Sequence, residues 1–411
     1  MKKRFLSAGL AVVMAASLTA CGGSGSASTT AAAAGESKAE GESSAAAEGE
    51  SSAAADGAVF KIGGIGPVTG GAAVYGLAVQ HGAEIAVKEI NDAGGINGVP
   101  IEFQFQDDEH DAEKSVNAYN TLKDWGMQVL MGTVTSAPCI AVADKTAADN
   151  MFQITPSGSA VECAENPNVF RVCYSDPAQG TASAKYIGEH KLASKVAVIY
   201  DSSDVYSSGI YEKFAQEAPN QGIEVVDAEA FTADSNKDFS TQLQKAKESG
   251  AELVFLPIYY TEASLILQQA NTMGFAPQFF GCDGMDGLLQ VQNFDVKLAE
   301  GLMLLTPFAA DATDDLTVNF VKSFEDAYGE TPIQFAADAY DAIYIIKAAM
   351  EEANVTPDMS VSDICDAMEG AMTQIKVDGL TGTNMSWTEE GEPEKDPKAV
   401  QVVDGAYKAM E

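Results

Sequence analysis

Phe60-Lys61-Ile62-Gly63-Gly64-Ile65-Gly66-Pro67-Val68-Thr69-Gly70 runs from a short apolar segment into a glycine-punctuated loop, and a helical pattern follows it. Residues 60–65 read as a strand. Over 78–91, apolar side chains recur at helical spacing, at Val79, Ala83, Ile85, Ala86, Val87 and Ile90. The same unit repeats towards the C-terminus. Strands are expected at 101–106, 129–131 and 152–155, with helices over 115–125 and 141–150. A second series has strands at 196–200, 224–231 and 253–257, followed by helices over 208–218, 240–248 and 262–273. Alternation of this kind predicts an α/β doubly wound fold with parallel sheets. Two series, together too long for one sheet, predict two similar lobes.

In open α/β sheets, ligands bind beyond the C-terminal ends of the strands. The residues there are small hydroxyl residues, aromatics and a few carboxylates. Tyr75 follows the first loop. Gly132-Thr133-Val134-Thr135-Ser136, Pro156-Ser157-Gly158-Ser159, Asp201 to Tyr206, Tyr259-Tyr260 and Gly281-Cys282-Asp283-Gly284 follow later strands.

The N-terminus carries a different signal. Lys2, Lys3 and Arg4 precede a mostly apolar run from Phe5 to Leu18, and small residues lead to Cys21. Residues 1–20 read as an export signal, too short for a good membrane span. Leu18-Thr19-Ala20-Cys21 resembles the lipobox of bacterial lipoproteins. That resemblance implies cleavage before Cys21 and lipid on its sulfur; an ordinary secretory signal is the plainer alternative. From Gly22 to about residue 57 the chain is almost entirely Gly, Ser, Ala and Glu, a composition with almost nothing to bury, expected to act with Cys21 as a flexible tether. Such a tether reaches about 30–36 Å.

The chain carries 60 acidic against 24 basic residues, a formal charge of −36. That argues against a basic nucleic-acid face and against binding anionic lipid directly. No second stretch long enough to span a membrane occurs after the signal. Apart from Cys21, the cysteines are Cys139, Cys163, Cys173, Cys282 and Cys365, with no metal-ligand spacing. Cys163 and Cys173 flank a turn at Asn166-Pro167-Asn168, and both a disulfide and free buried thiols fit that spacing.

Catalytic signatures are missing. The glycines at 63, 64, 66 and 70 do not form a dinucleotide fingerprint, and Pro67 removes an N–H that a phosphate-cradling turn would use. Neither a P-loop nor a GxSxG elbow occurs. Asp107-Asp108-Glu109-His110-Asp111 reads as a solvated turn rather than a metal site. His81 and His190 read as exposed. The chain is not expected to be an enzyme, and no cofactor is expected.

From Phe60 onward the sequence resembles the leucine/isoleucine/valine-binding proteins, the type I periplasmic binding proteins of branched-chain amino acid ABC importers. The resemblance rests on Gly66-Pro67-Val68-Thr69-Gly70 through Tyr75-Gly76 to Ile90-Asn91-Asp92-Ala93-Gly94-Gly95-Ile96-Asn97-Gly98. It also rests on Thr155-Pro156-Ser157-Gly158-Ser159, on Phe170-Arg171 with Asp176-Pro177-Ala178-Gln179-Gly180, on Asp201 to Tyr206 and on Asp338-Ala339-Tyr340-Asp341-Ala342. It implies two Rossmann-like lobes joined by a three-crossover hinge, the first of 58–177 plus 308–383 and the second of 178–307 plus 384–411. A monomer is expected, with an amino acid as ligand and the permease of an ABC transporter as partner. The expected location is extracytoplasmic, lipid-anchored to the cell membrane.

The resemblance also implies roles. Ser136 matches the hydroxyl residue that binds the ligand α-carboxylate. Ser157 and Ser159 match the pair that binds the ammonium through a backbone carbonyl and a hydroxyl, and the carboxylate through an N–H. Asp283 matches an acidic residue, commonly Glu, that pairs with the ammonium. Tyr259 matches a tyrosine on the same side, and Tyr75, Tyr206 and Phe335 match the aromatic wall of the side-chain pocket. Plainer roles stand beside these: helix caps for the serines, surface aromatics for Tyr206 and Tyr259, core for Phe335, and a turn residue for Asp283. Asp in place of Glu leaves aromatic acids, amides or urea as alternative ligands, and a sensory binding protein as an alternative function.

Overall fold

A computed structural model describes residues 57–395 and 397–410. The export signal, the lipobox with Cys21 and nearly all of the tether lie outside the described residues. The body begins with β1 (Phe60–Gly66), α1 (Ala73–Asp92), β2 (Ile101–Asp107), α2 (Ala112–Trp125), β3 (Val129–Gly132), α3 (Ser136–Asp149), β4 (Gln153–Thr155) and β5 (Val169–Arg171). Next come α4 (Asp176–Glu189), β6 (Lys195–Asp201), α5 (Val205–Glu217), β7 (Glu224–Phe231), α6 (Ser240–Glu248), β8 (Leu253–Leu256), α7 (Tyr260–Thr272), β9 (Gln278–Gly281) and β10 (Met303–Thr306). The chain ends with α8 (Asp315–Tyr328), α9 (Gln334–Glu352), α10 (Val361–Met372), the short pair β11 (Ser386–Trp387) and β12 (Pro393–Glu394), and the hairpin β13 (Lys398–Val403) and β14 (Ala406–Ala409).

Two main sheets result. The first is parallel throughout, in the order β2-β1-β3-β4-β5. The second runs β14-β13-β10-β9-β8-β6-β7. Strands β10, β9, β8, β6 and the edge strand β7 are parallel, while β13 joins β10 antiparallel and β14 follows as a hairpin. The fold is therefore mixed α/β, with an antiparallel edge that strand-helix alternation alone does not predict.

Both faces of each sheet are covered, as parallel strands require. Along β6, Val196 and Val198 enter one apolar cluster while Ala197 and Ile199 enter the other. In β8, Leu253 and Phe255 point one way and Val254 and Leu256 the other. On the first sheet, Phe60 and Ile62 share a cluster with α1 and α9, and Ile65 shares one with α2. The period of two thus sorts the side chains between layers.

Helix ends follow local chemistry. Asp111 caps α2 by accepting from the Lys114 N–H, and Gly126 closes that helix at φ 91°. Asp204 caps α5 through the Tyr206 N–H. Helix α3 begins at Ser136, well before the expected 141. Pro138 tolerates a first turn, where its missing N–H has no intrahelical partner to lose. Helix α9 packs on α1. At Gly82 a Cβ would sit 2.1 Å from the Ala336 carbonyl oxygen, so only glycine lets the two backbones approach this closely.

Candidate ligand-binding site

The expected ligand residues come from strand-to-helix loops and helix starts. Tyr75 stands in the first turn of α1 and Ser136 is the first residue of α3. Ser157 and Ser159 follow β4, Tyr206 lies in the first turn of α5, Tyr259 precedes α7, Asp283 follows β9 and Phe335 lies in the first turn of α9. All eight line one cavity, together with Val134, Thr135 and Gly284. The space left between them is about 10 Å³, comparable to a single water molecule. A ligand the size of an amino acid therefore enters only when the loops of the two sheets move apart.

Four rings form the wall. Tyr75 and Phe335 stack at 4.2 Å between centroids, and Tyr206 and Tyr259 at 4.9 Å. Tyr75 meets Tyr259 edge-on at 5.7 Å. Burial pushes the Tyr75 and Tyr206 phenols well up, so both remain hydrogen donors at neutral pH. Tyr75 Oη donates to the Gly284 carbonyl, tying the first sheet's loop to the second's.

Asp283 is the one carboxylate among the described residues that lines the cavity. It is buried, and both of its oxygens are held. Oδ1 accepts from Tyr206 Oη at 2.8 Å and Oδ2 from Gln179 Nε2 at 2.8 Å. Burial pushes its pKa up to about 6, against these hydrogen bonds. Each oxygen retains a second lone pair. A cationic group placed beside it would meet an oriented carboxylate in a low-dielectric site and favour its charged form. Asp283 is more than a turn residue: its side chain organises the second sheet's side of the cavity.

The serines face it from the first sheet. Ser136 Oγ accepts from the N–H groups of Ser159 and Ala160, at 3.2 and 3.1 Å. Ser157 Oγ donates to the Val134 carbonyl at 2.6 Å. The Ser159 side chain hydrogen-bonds to buried Asp176. Ser136 makes no cap for its own helix; it binds the neighbouring loop across the cavity rim. An entering carboxylate would exchange the Ser136–Ser159 bond for bonds to itself.

Several supporting residues have no signal in the strand-loop pattern. Gln179 lies on α4, 104 positions from Asp283 in sequence. Arg171, fully buried, donates to the carbonyls of Gly158, Ser159 and Val161 at 3.3, 2.7 and 3.2 Å. Its Nε lies 3.2 Å from Glu392. It fastens the loop that carries Ser157 and Ser159. His110 is half-buried rather than solvated. Its Nδ1 is 2.8 Å from Thr135 Oγ1 and its ring meets Tyr259 edge-on at 5.7 Å. His81 is also half-buried, stacked on Tyr328 at 3.7 Å. The five cysteines of the body are free and buried. The thiol beside Cys163 is that of Cys139, not Cys173.

Among the described residues no group of three or more His, Cys, Asp or Glu side chains is placed to hold a metal. Nor is any described helix long and apolar enough to cross a membrane.

A model of the periplasmic binding protein family matches residues 59–406. The chain belongs to the leucine/isoleucine/valine-binding family of periplasmic binding proteins. It is similar to the Leu/Ile/Val-binding protein homolog 3 of Brucella melitensis biotype 1, with 31% identity over 72% of this chain and 80% of that one. The leucine-, isoleucine-, valine-, threonine- and alanine-binding protein of Pseudomonas aeruginosa is 30% identical over 71% of this chain and 78% of its own length. Among solved structures, the branched-chain amino acid transporter substrate-binding protein LivJ of Streptococcus pneumoniae, in complex with isoleucine, superposes with a TM-score of 0.77 at 26% identity. That match covers 85% of this chain and 98% of that one. The family consists of substrate-binding proteins of transporters rather than enzymes, and its members work outside the cytoplasm.

Proposed function

We propose that this chain is the solute-binding protein of an ABC importer and captures a branched-chain or similar aliphatic amino acid between two lobes. Cys21 carries the lipid, the tether spans 21–57, and the permease receives the loaded form. One lobe comprises 58–177 plus 308–383 and the other 178–307 plus 384–411. This division is supported by the two sheets and by three passages of the chain between them, after β5, after β10 and before β13.

The observation that carries the ligand class is the cavity's polarity. Asp283 lies on the second sheet's side, N–H and hydroxyl groups of the Ser136 and Ser157–Ser159 loops on the first, and aromatic rings between them. A zwitterion with an apolar tail uses all three. An aromatic acid uses only the donors and the rings, and leaves Asp283 buried without a counter-charge, with Asp176 close enough to interact. Buried uncompensated charge is costly. The names of the relatives point to the same ligands.

A thermal-shift screen of the body from Gly57 tests the reading. Leucine, isoleucine or valine should raise the melting temperature in proportion to the logarithm of concentration. A shift confined to aromatic acids or amides would replace the ligand assigned here.

A further inference from the structure

We propose that Tyr260, which does not line the ligand cavity, is the latch that holds the two lobes closed. It is a positioning residue, not a ligand contact. Tyr260 starts α7, beyond β8 of the second sheet, and is 5% exposed. Facing it is the Gly71–Tyr75 segment beyond β1 of the first sheet.

Tyr260 Oη donates to the Gly71 carbonyl at 2.8 Å and accepts from the Val74 N–H at 3.3 Å. Its own N–H donates to Tyr75 Oη at 3.3 Å, and Thr261 Oγ1 donates to Gly71 O at 3.0 Å. The Tyr75 and Tyr260 rings meet edge-on at 4.8 Å. Each phenol has one hydrogen to give, so the network is fully assigned. Tyr75 gives to Gly284 O and takes from Tyr260 N, while Tyr260 gives to Gly71 O and takes from Val74 N. Every one of these bonds joins the two sheets' loops. In an open form the same groups would be hydrated, so the bonds weigh only on the closed state. Closure without differential contacts has no driving force, and Tyr260 supplies such contacts independently of the ligand's side chain. The segments that meet are also those that must part before an amino acid enters.

The inference rests on ligand-gated closure as proposed above. The test compares wild type with Tyr260→Phe, which keeps the ring and removes the hydroxyl. Two hydrogen bonds are lost, so affinity should fall about tenfold. Leucine, isoleucine and valine should weaken by the same factor, with faster dissociation and an unchanged melting temperature without ligand. Small-angle scattering should record a smaller compaction at equal, sub-saturating ligand. Thr261→Val removes one exposed bond of the same set and should act in the same direction, less strongly. It serves if the phenylalanine variant folds poorly. Unchanged affinity in both variants, or an altered order of preference among the three ligands, would overturn the latch. Wild-type protein that binds ligand without compacting would instead overturn closure itself.

Discussion

Tyr206 donates its phenolic hydrogen to Asp283 Oδ1 at 2.8 Å, and the same oxygen of Tyr206 accepts the Gly284 N–H at 2.9 Å. One hydroxyl thus fixes both the carboxylate and the backbone that follows it. Tyr206→Phe should leave the ring stack intact while releasing Asp283. A hydrogen bond to a charged group contributes about 1.5–3 kcal/mol. Ligand affinity is expected to fall by about tenfold or more, measured by calorimetry, with little change in fold by circular dichroism.

The pKa shifts predict an unusual pH dependence of stability. Burial raises Asp283 and Asp108 to about 6 and Asp286 to about 7. Below pH 4 these groups are protonated in both the folded and the unfolded chain. Between about 4 and 7 the folded form holds more protons than the unfolded one, so their contribution to stability is lost as pH rises through that window. The melting temperature of the ligand-free body should decline from pH 5 to pH 8. A rise over that range would contradict the assignment.

Ligand binding should carry the opposite sign. An ammonium beside Asp283 favours its charged form, so binding below pH 6 displaces a proton. Affinity should increase from pH 5 to 7 and then level. Calorimetry at pH 6 in two buffers of different ionisation enthalpy should report proton release, and proton uptake would count against Asp283 as the ammonium partner.

Arg171 is the buried cation under the serine loop. Replacing it with methionine leaves the Gly158, Ser159 and Val161 carbonyls without their donor and Glu392 without its partner. Glu392 is partly exposed and contributes little, but each buried carbonyl left without its donor costs about 1–3 kcal/mol. Chemical denaturation should read that loss, and residual folded protein should bind ligand weakly because Ser157 and Ser159 are no longer held.

Gly82→Ala tests the α1–α9 contact. The added methyl meets a backbone carbonyl, which cannot rotate away, so the helices must separate. Overpacking of this kind costs about 1–3 kcal/mol. Ala336 adjoins Phe335, so the variant should also disturb the ring stack on Tyr75 and weaken binding.

Much of this was legible in the sequence. Strand 224–231 and helix 240–248 have the same bounds in the sequence pattern and in the structure, because alternation and helical spacing are unbroken there. The start of α3 carries no sequence signal, because its apolar spacing begins after Pro138. The β13–β14 hairpin and helices α8 to α10 were not read from periodicity, and the antiparallel edge is a property of pairing rather than of any one segment. Each proposed ligand residue stands just after a strand or at a helix start, which made it visible. Tyr260 stands in a strand-end loop, and Arg171 and Gln179 lie in stretches that carry the resemblance, but their supporting roles come from contacts across long sequence separations that no local pattern shows.

The central claim is a zwitterion held between Asp283 and the serine loops. Titration of the body with leucine and with 4-methylpentanoate, the same molecule without its ammonium, tests it most directly, in wild type and in Asp283→Asn. Leucine should bind the wild type tightly, 4-methylpentanoate should bind at least about a hundredfold more weakly, consistent with loss of a buried charged pair, and the gap should be much smaller in the variant. Equal affinity for the two compounds in the wild type would contradict it.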